Sequence, residues 1–85
     1  MPQSKIVIYG GTWCSDCRRA KRFFDNHKIQ YEWVDLDNDK EALGYVLKVN
    51  NGKRVIPTIV FEDGSVLAEP TDAQLSEKLS ISRWN

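Results

Sequence analysis

Lys5-Ile6-Val7-Ile8-Tyr9-Gly10-Gly11-Thr12-Trp13-Cys14-Ser15-Asp16-Cys17 is the stretch that decides how the chain folds. Its first part, Lys5 to Tyr9, is a short apolar, β-branched run, the pattern of a strand buried at the centre of a sheet. Gly10-Gly11-Thr12 breaks the run. A helix then begins at Cys14 or Ser15 and reaches about Asn26. Cys17, Ala20 and Phe24 recur there at helical spacing with Phe23 beside them, and Arg18, Arg19, Lys21 and Arg22 fill the remaining faces. Two cysteines separated by two residues thus fall where a buried strand hands over to a helix.

Working outward, Gln30 to Leu36 reads as a second strand, rich in aromatic and branched residues. Asn38 reads as the N-cap of a second helix, with Glu41 three residues on, Asp39 in the first turn and Leu43, Val46 and Leu47 as its apolar stripe. Asn50-Asn51-Gly52 ends that helix. Val55-Ile56-Pro57 leads into a strand over Thr58 to Phe61, Asp63-Gly64 makes a tight hairpin turn, and Ser65 to Ala68 forms the fourth strand. Thr71 caps a last helix, Gln74 completes its capping box, and Leu75 and Leu79 face inward. The order is β-α-β-α-β-β-α. The first two strands pair in parallel through the helical crossover, the last two form an antiparallel hairpin, and helices cover both faces. The expectation is an α/β chain built as a three-layer α/β/α sandwich on a mixed four-stranded sheet. With 85 residues and no repeat or linker, residues 1–85 are read as one domain.

Composition narrows the function. Twelve basic residues balance twelve acidic ones, which gives no support for a nucleic-acid partner. Ile6 to Tyr9 is too short for a signal-peptide core or a membrane helix, so the protein is expected in the cytoplasm, with no membrane association. Cellular thiols keep structural disulfides rare there, and a Cys-x-x-Cys pair then reads as redox-active before it reads as a staple. Zinc would need four ligands, and His27, the lone histidine, stands at the far end of the first helix. Asp35-Leu36-Asp37-Asn38-Asp39 mimics the start of a calcium loop, but Lys40 and Val46 stand where a glycine and a glutamate are required. The basic run Arg18 to Arg22 reads as a solvated helix face, and Trp84 as part of a fraying tail.

The helix start offers free N–H groups and about half a positive charge, a setting that favours an anionic sulfur. Cys14 lies at the exposed end and Cys17 one turn in, on the core side. Cys14 is therefore expected to attack a disulfide, and Cys17 to resolve the mixed disulfide that results. Asp16 sets a carboxylate beside the pair, which predicts a more reducing couple. Pro57 cannot donate a ladder hydrogen bond. A cis bond before it would turn the Ile56 N–H and C=O toward Cys14, where they could pair with an extended substrate.

Tyr9 to Cys17, Val55-Ile56-Pro57-Thr58 and the Asp63-Gly64 hairpin together resemble the glutaredoxin-like branch of the thioredoxin superfamily, and within it the mycoredoxin-type group of actinobacteria. Trp13-Cys14-Ser15-Asp16-Cys17, Asn51-Gly52, Pro57-Thr58, Asp63-Gly64-Ser65 and Pro70 carry the likeness over nearly the whole chain. The resemblance implies a thioredoxin-like fold, a cis Pro57 beside the cysteines, and a low-molecular-weight thiol, mycothiol or glutathione, as co-substrate with no bound cofactor. It implies that Ile56 contacts the cysteinyl backbone of that thiol and that Thr71 and Asp72 lie near its carboxylate. Thr12, Trp13, Asp16 and Pro57 complete the expected substrate-binding set.

Three departures from glutathione-using glutaredoxins stand out. Gly11 replaces a lysine, Ala68-Glu69 replaces a Gly-Gly pair, and Asp16 replaces an aromatic residue. The protein is thus expected to be a monomeric thiol–disulfide oxidoreductase. Its substrates would be disulfide-containing proteins or small mixed disulfides, with electrons from a small thiol or a thioredoxin reductase. The alternative is a binding or sensing module that holds an iron–sulfur cluster between subunits, or carries a regulatory disulfide, without reductase turnover.

Overall fold

The computed structural model describes residues 6–80; the expected strand start at Lys5 and the tail at Trp84 lie outside them. The elements follow as β1 (Ile6–Gly10), α1 (Ser15–Asn26), β2 (Tyr31–Asp35), a 3-10 turn (Leu36–Asn38), α2 (Lys40–Val49), β3 (Thr58–Val60), β4 (Val66–Ala68) and α3 (Asp72–Lys78). The sheet order is β2-β1-β3-β4, with β1 and β2 parallel and β3 antiparallel to both of its neighbours. This is the expected order and pairing.

Side chains alternate across a strand, and β1 shows what that does to a continuously apolar run. Ile6 and Ile8 are buried, with Ile59 and Phe61, against Ala20, Phe23 and Phe24 of α1 and Leu75 of α3. Tyr9 belongs to the other cluster, which joins Cys17, Leu36, Val46 and Ile56 to Leu43 and Tyr45 of α2. Helices α1 and α3 thus cover one face and α2 the other. Val7 and Tyr9, which alternate with Ile6 and Ile8, are only half-buried. Phe24 is wholly buried, and burial of one such side chain contributes about 2–3 kcal/mol.

The helix ends obey local chemistry. Helix α1 closes on Lys28 at φ 57°, with the Ile29 N–H donating to the Phe24 carbonyl at 2.9 Å. Helix α2 closes in the same way on Asn51 at φ 59°, with the Gly52 N–H donating to the Leu47 carbonyl at 2.6 Å. The Thr71–Gln74 capping box forms as expected.

Two local expectations are corrected. Asp39, not Asn38, caps α2, and its carboxylate accepts from the Ala42 N–H at 3.0 Å. Asn38 is drawn into the 3-10 turn instead, where its amide donates to Asp35 at 2.9 Å. The hairpin turn spans Phe61 to Gly64 rather than resting on Asp63-Gly64 alone. The Gly64 N–H donates to the Phe61 carbonyl at 2.9 Å, Gly64 takes φ 88°, and β4 starts at Val66. The Asp63 carboxylate, bonded by Lys78 at 2.8 Å and by Ser65, is held well below the usual carboxylate range.

Candidate active site

Cys14 is the N-cap of α1, with extended backbone at φ −90° and ψ 120°. Its Sγ accepts a hydrogen bond from the Cys17 N–H at 3.3 Å. Both thiols are free; Cys14 is half-buried and Cys17 fully buried. Burial is the largest cause that pushes the Cys17 thiol from its ordinary value of 9.0 up to about 12, and the hydrogen bond to Cys14 and the charges of Cys14 and Asp16 add to it. The Gly11 backbone acts the other way. Gly10 makes room for this sulfur, because a Cβ at position 10 would overlap Cys17 Sγ.

A folded thiol that ionises later than an unfolded one stabilises the fold only while both stay protonated. The reduced protein is therefore expected to lose stability as pH rises from about 9 toward 12, the unfolded chain being first to ionise. Urea unfolding of wild type and Cys17→Ala across this window checks it: the wild type should lose more, since tyrosine titration is common to both.

The Ile56–Pro57 bond is cis. Ile56 packs with Cys17 in one apolar cluster, which Cys14 borders. The loop is pinned from both sides. The Thr58 hydroxyl, fully buried, donates to the Val55 carbonyl at 2.6 Å and accepts from the Asn50 amide at 3.1 Å. The Pro57 carbonyl accepts from the Glu69 N–H at 2.8 Å. Among the described residues the Ile56 N–H and C=O enter none of the loop hydrogen bonds. Glu69 holds φ 49°, so the Ala68-Glu69 pair keeps a left-handed turn that glycine would adopt more easily.

Around the cysteines, Thr12 is exposed and its carbonyl accepts from Arg18 at 3.2 Å. The Trp13 indole lies against the Gly11 backbone, so any side chain at Gly11, a lysine included, would meet that ring at about 2.8 Å. Asp16 shares Arg19 with Asp72, at 3.4 and 3.0 Å. Asp16 therefore opposes negative charge on the pair less than a lone carboxylate would, and Asp72 is tied to α1. The Thr71 hydroxyl oxygen and N–H are engaged by Gln74 in the cap of α3.

The fold thus brings Cys14, Cys17 and Ile56 into one packed group, and ties Asp72 to Asp16. Sequence reasoning missed Asp37 and Arg54, which contact Trp13 from 24 positions on in the first case. It also missed Arg19, Asn50 and the steric role of Gly10. Among the described residues no cluster of three or more His, Cys, Asp or Glu side chains is placed to hold a metal ion.

The glutaredoxin family model matches residues 6–66, a span from β1 through the cysteines and the proline loop into β4. A Mycobacterium tuberculosis protein named as a glutaredoxin is 35% identical over 79 residues, 93% of this chain and 94% of its own length. Mycoredoxin 1 of Corynebacterium glutamicum is 34% identical over 76 residues, 89% of this chain and 94% of its own. A crystal structure of a mutant of the thioredoxin-like protein BC3987 superposes with a TM-score of 0.82 at 29% identity, covering 94% of this chain and all of that one. Sequence and architecture agree over most of the length, and the chain belongs to the glutaredoxin family of thiol–disulfide oxidoreductases.

Proposed function

We propose that Cys14 is the attacking sulfur, that Cys17 resolves, and that the electrons come from mycothiol rather than glutathione. The observation that carries the division of labour is the contrast between the two thiols: Cys14 is half-buried at the cap of α1, and the buried Cys17 keeps its proton. In the first step the Cys14 thiolate attacks RS–SR′, forms Cys14–S–SR and expels R′S⁻. Cys14 then no longer carries the charge and the hydrogen bond that hold the Cys17 proton, which eases its ionisation. Cys17 attacks the Cys14 sulfur, releases RS⁻ and leaves the Cys14–Cys17 disulfide. Two equivalents of small thiol return the pair to the dithiol and become a disulfide themselves.

The preference for mycothiol rests on charge and space. Glutathione carries two carboxylates and one ammonium group, whereas mycothiol is an uncharged sugar thiol. At the site edge the Arg19 guanidinium is already shared between Asp16 and Asp72, so it is not free to meet a glutathione carboxylate. The Trp13 ring fills the room that a lysine at Gly11 would need. One relative bears the name mycoredoxin. Ile56 offers its N–H and C=O to the thiol's cysteinyl part, with Thr12, Trp13 and Pro57 around it. We read residues 1–85 as a single domain acting as a cytoplasmic monomer.

Mass spectrometry of Cys17→Ser recovered from a mycothiol-producing host tests the reading. The expected product is mycothiol or a protein thiol held on Cys14. An unmodified Cys14, or glutathione taken up in preference when both thiols are supplied as disulfides, would refute it.

A further inference from the structure

The Trp13 indole is 60% exposed beside Cys14, yet it is held at three points. Its Nε1–H donates to Asp37 Oδ2 at 3.0 Å. Arg54, which pairs with Asp37 Oδ1 at 3.0 Å, sets its guanidinium 5.7 Å from the ring centroid. Gly11 lies close to the ring as well, and a Cβ there would come within 2.8 Å of the indole nitrogen. Asp37 belongs to the 3-10 turn after β2, and Arg54 precedes Ile56 by two residues. One carboxylate thus joins the loop before Cys14 to the loop of the cis proline, the two sides between which a disulfide must enter.

We infer that Asp37 is a positioning residue, fixing the Trp13 ring as an aromatic platform beside the attacking sulfur on which the group next to the substrate's disulfide docks. The inference rests on the assignment of Cys14 as that sulfur. A large apolar face held still before binding costs little further ordering when substrate arrives. A freed ring has to be ordered by each substrate. Such a change weakens binding of ground state and transition state alike, so it enters KM and leaves kcat.

Steady-state reduction of a fluorogenic peptide disulfide, with dithiothreitol as electron source, tests this in wild type, Asp37→Ala, Asp37→Asn, Trp13→Phe and the Asp37→Ala/Trp13→Phe double variant. Asp37→Ala is expected to raise KM about fivefold with kcat within about twofold, the size of one hydrogen bond. Asp37→Asn keeps an acceptor for the indole and should raise KM less. The double variant should match Trp13→Phe alone, because Asp37 acts through the ring. An unchanged KM in Asp37→Ala, or effects that multiply in the double variant, overturns the inference. The chain has three tryptophans, and the Trp13 indole resonance should shift in Asp37→Ala; an unmoved resonance overturns the inference as well. Full turnover by Cys14→Ser would overturn the attacking-sulfur assignment and the platform's role with it. That failure is read from a protein that retains Asp37, so the two are distinguishable.

Discussion

Cys14→Ser is expected to lose disulfide-reductase turnover on the order of 10³-fold or more while keeping its fold. The loss follows from chemistry, since a serine hydroxyl stays protonated near neutral pH and does not displace a thiolate from a disulfide. Retention of the fold follows from position. Cys14 is the N-cap of α1, and its sulfur accepts from the Cys17 N–H. Serine is among the preferred residues there, because its oxygen accepts the same hydrogen bond. An unchanged melting temperature beside lost turnover would therefore identify the sulfur itself as the requirement. Turnover close to wild type would remove Cys14 from the proposed mechanism.

The second large effect is expected at Gly10→Ala. A methyl group at this position would overlap the sulfur of Cys17, which is fully buried and fixed in the first turn of α1. Either the helix start shifts away from β1 or the sulfur leaves its rotamer. Overpacking of this kind costs about 3 kcal/mol, a fall in melting temperature on the order of 15 °C for a domain of this size. The chemical outcome is separate and more telling. A displaced Cys17 resolves slowly, so mixed disulfides should persist on Cys14 in Gly10→Ala, as in Cys17→Ser. Thermal unfolding combined with mass analysis of the protein after a pulse of disulfide checks both. A Gly10→Ala protein of wild-type stability that clears its adducts normally would show that the overlap is relieved without effect.

Much of the architecture was legible because it is local. The Cys14-to-Cys17 spacing at the end of a β-branched run, the Thr71–Gln74 box and the Leu75 side of α3 are set by residues within a turn or two of each other. The resemblance also implied the cis bond before Pro57, which the structure shows. What was not legible depends on distance or on competition. Asn38 and Asp39 are both good caps, and Asp35, by drawing the Asn38 amide into its own turn, leaves α2 to Asp39. Arg19 looked like one more solvated base, yet it meets Asp72 across 53 positions of chain. Asp37 looked like a fragment of a false calcium loop, and only the fold brings it to Trp13 and Arg54. Gly10 read as a break in a strand, although its need is steric and comes from a sulfur seven residues on.

The proline loop carries a last consequence. Its Val55 carbonyl is taken by Thr58 and its Pro57 carbonyl by Glu69, and proline has no N–H to give. In the mechanism proposed above, the N–H and C=O of Ile56 are what this side of the site would offer a guest's main chain. A contact of one residue specifies almost nothing about the sequence on either side of a disulfide. On that proposal a broad clientele follows from the backbone, and selectivity falls to side chains around the cysteines such as Trp13 and Asp16.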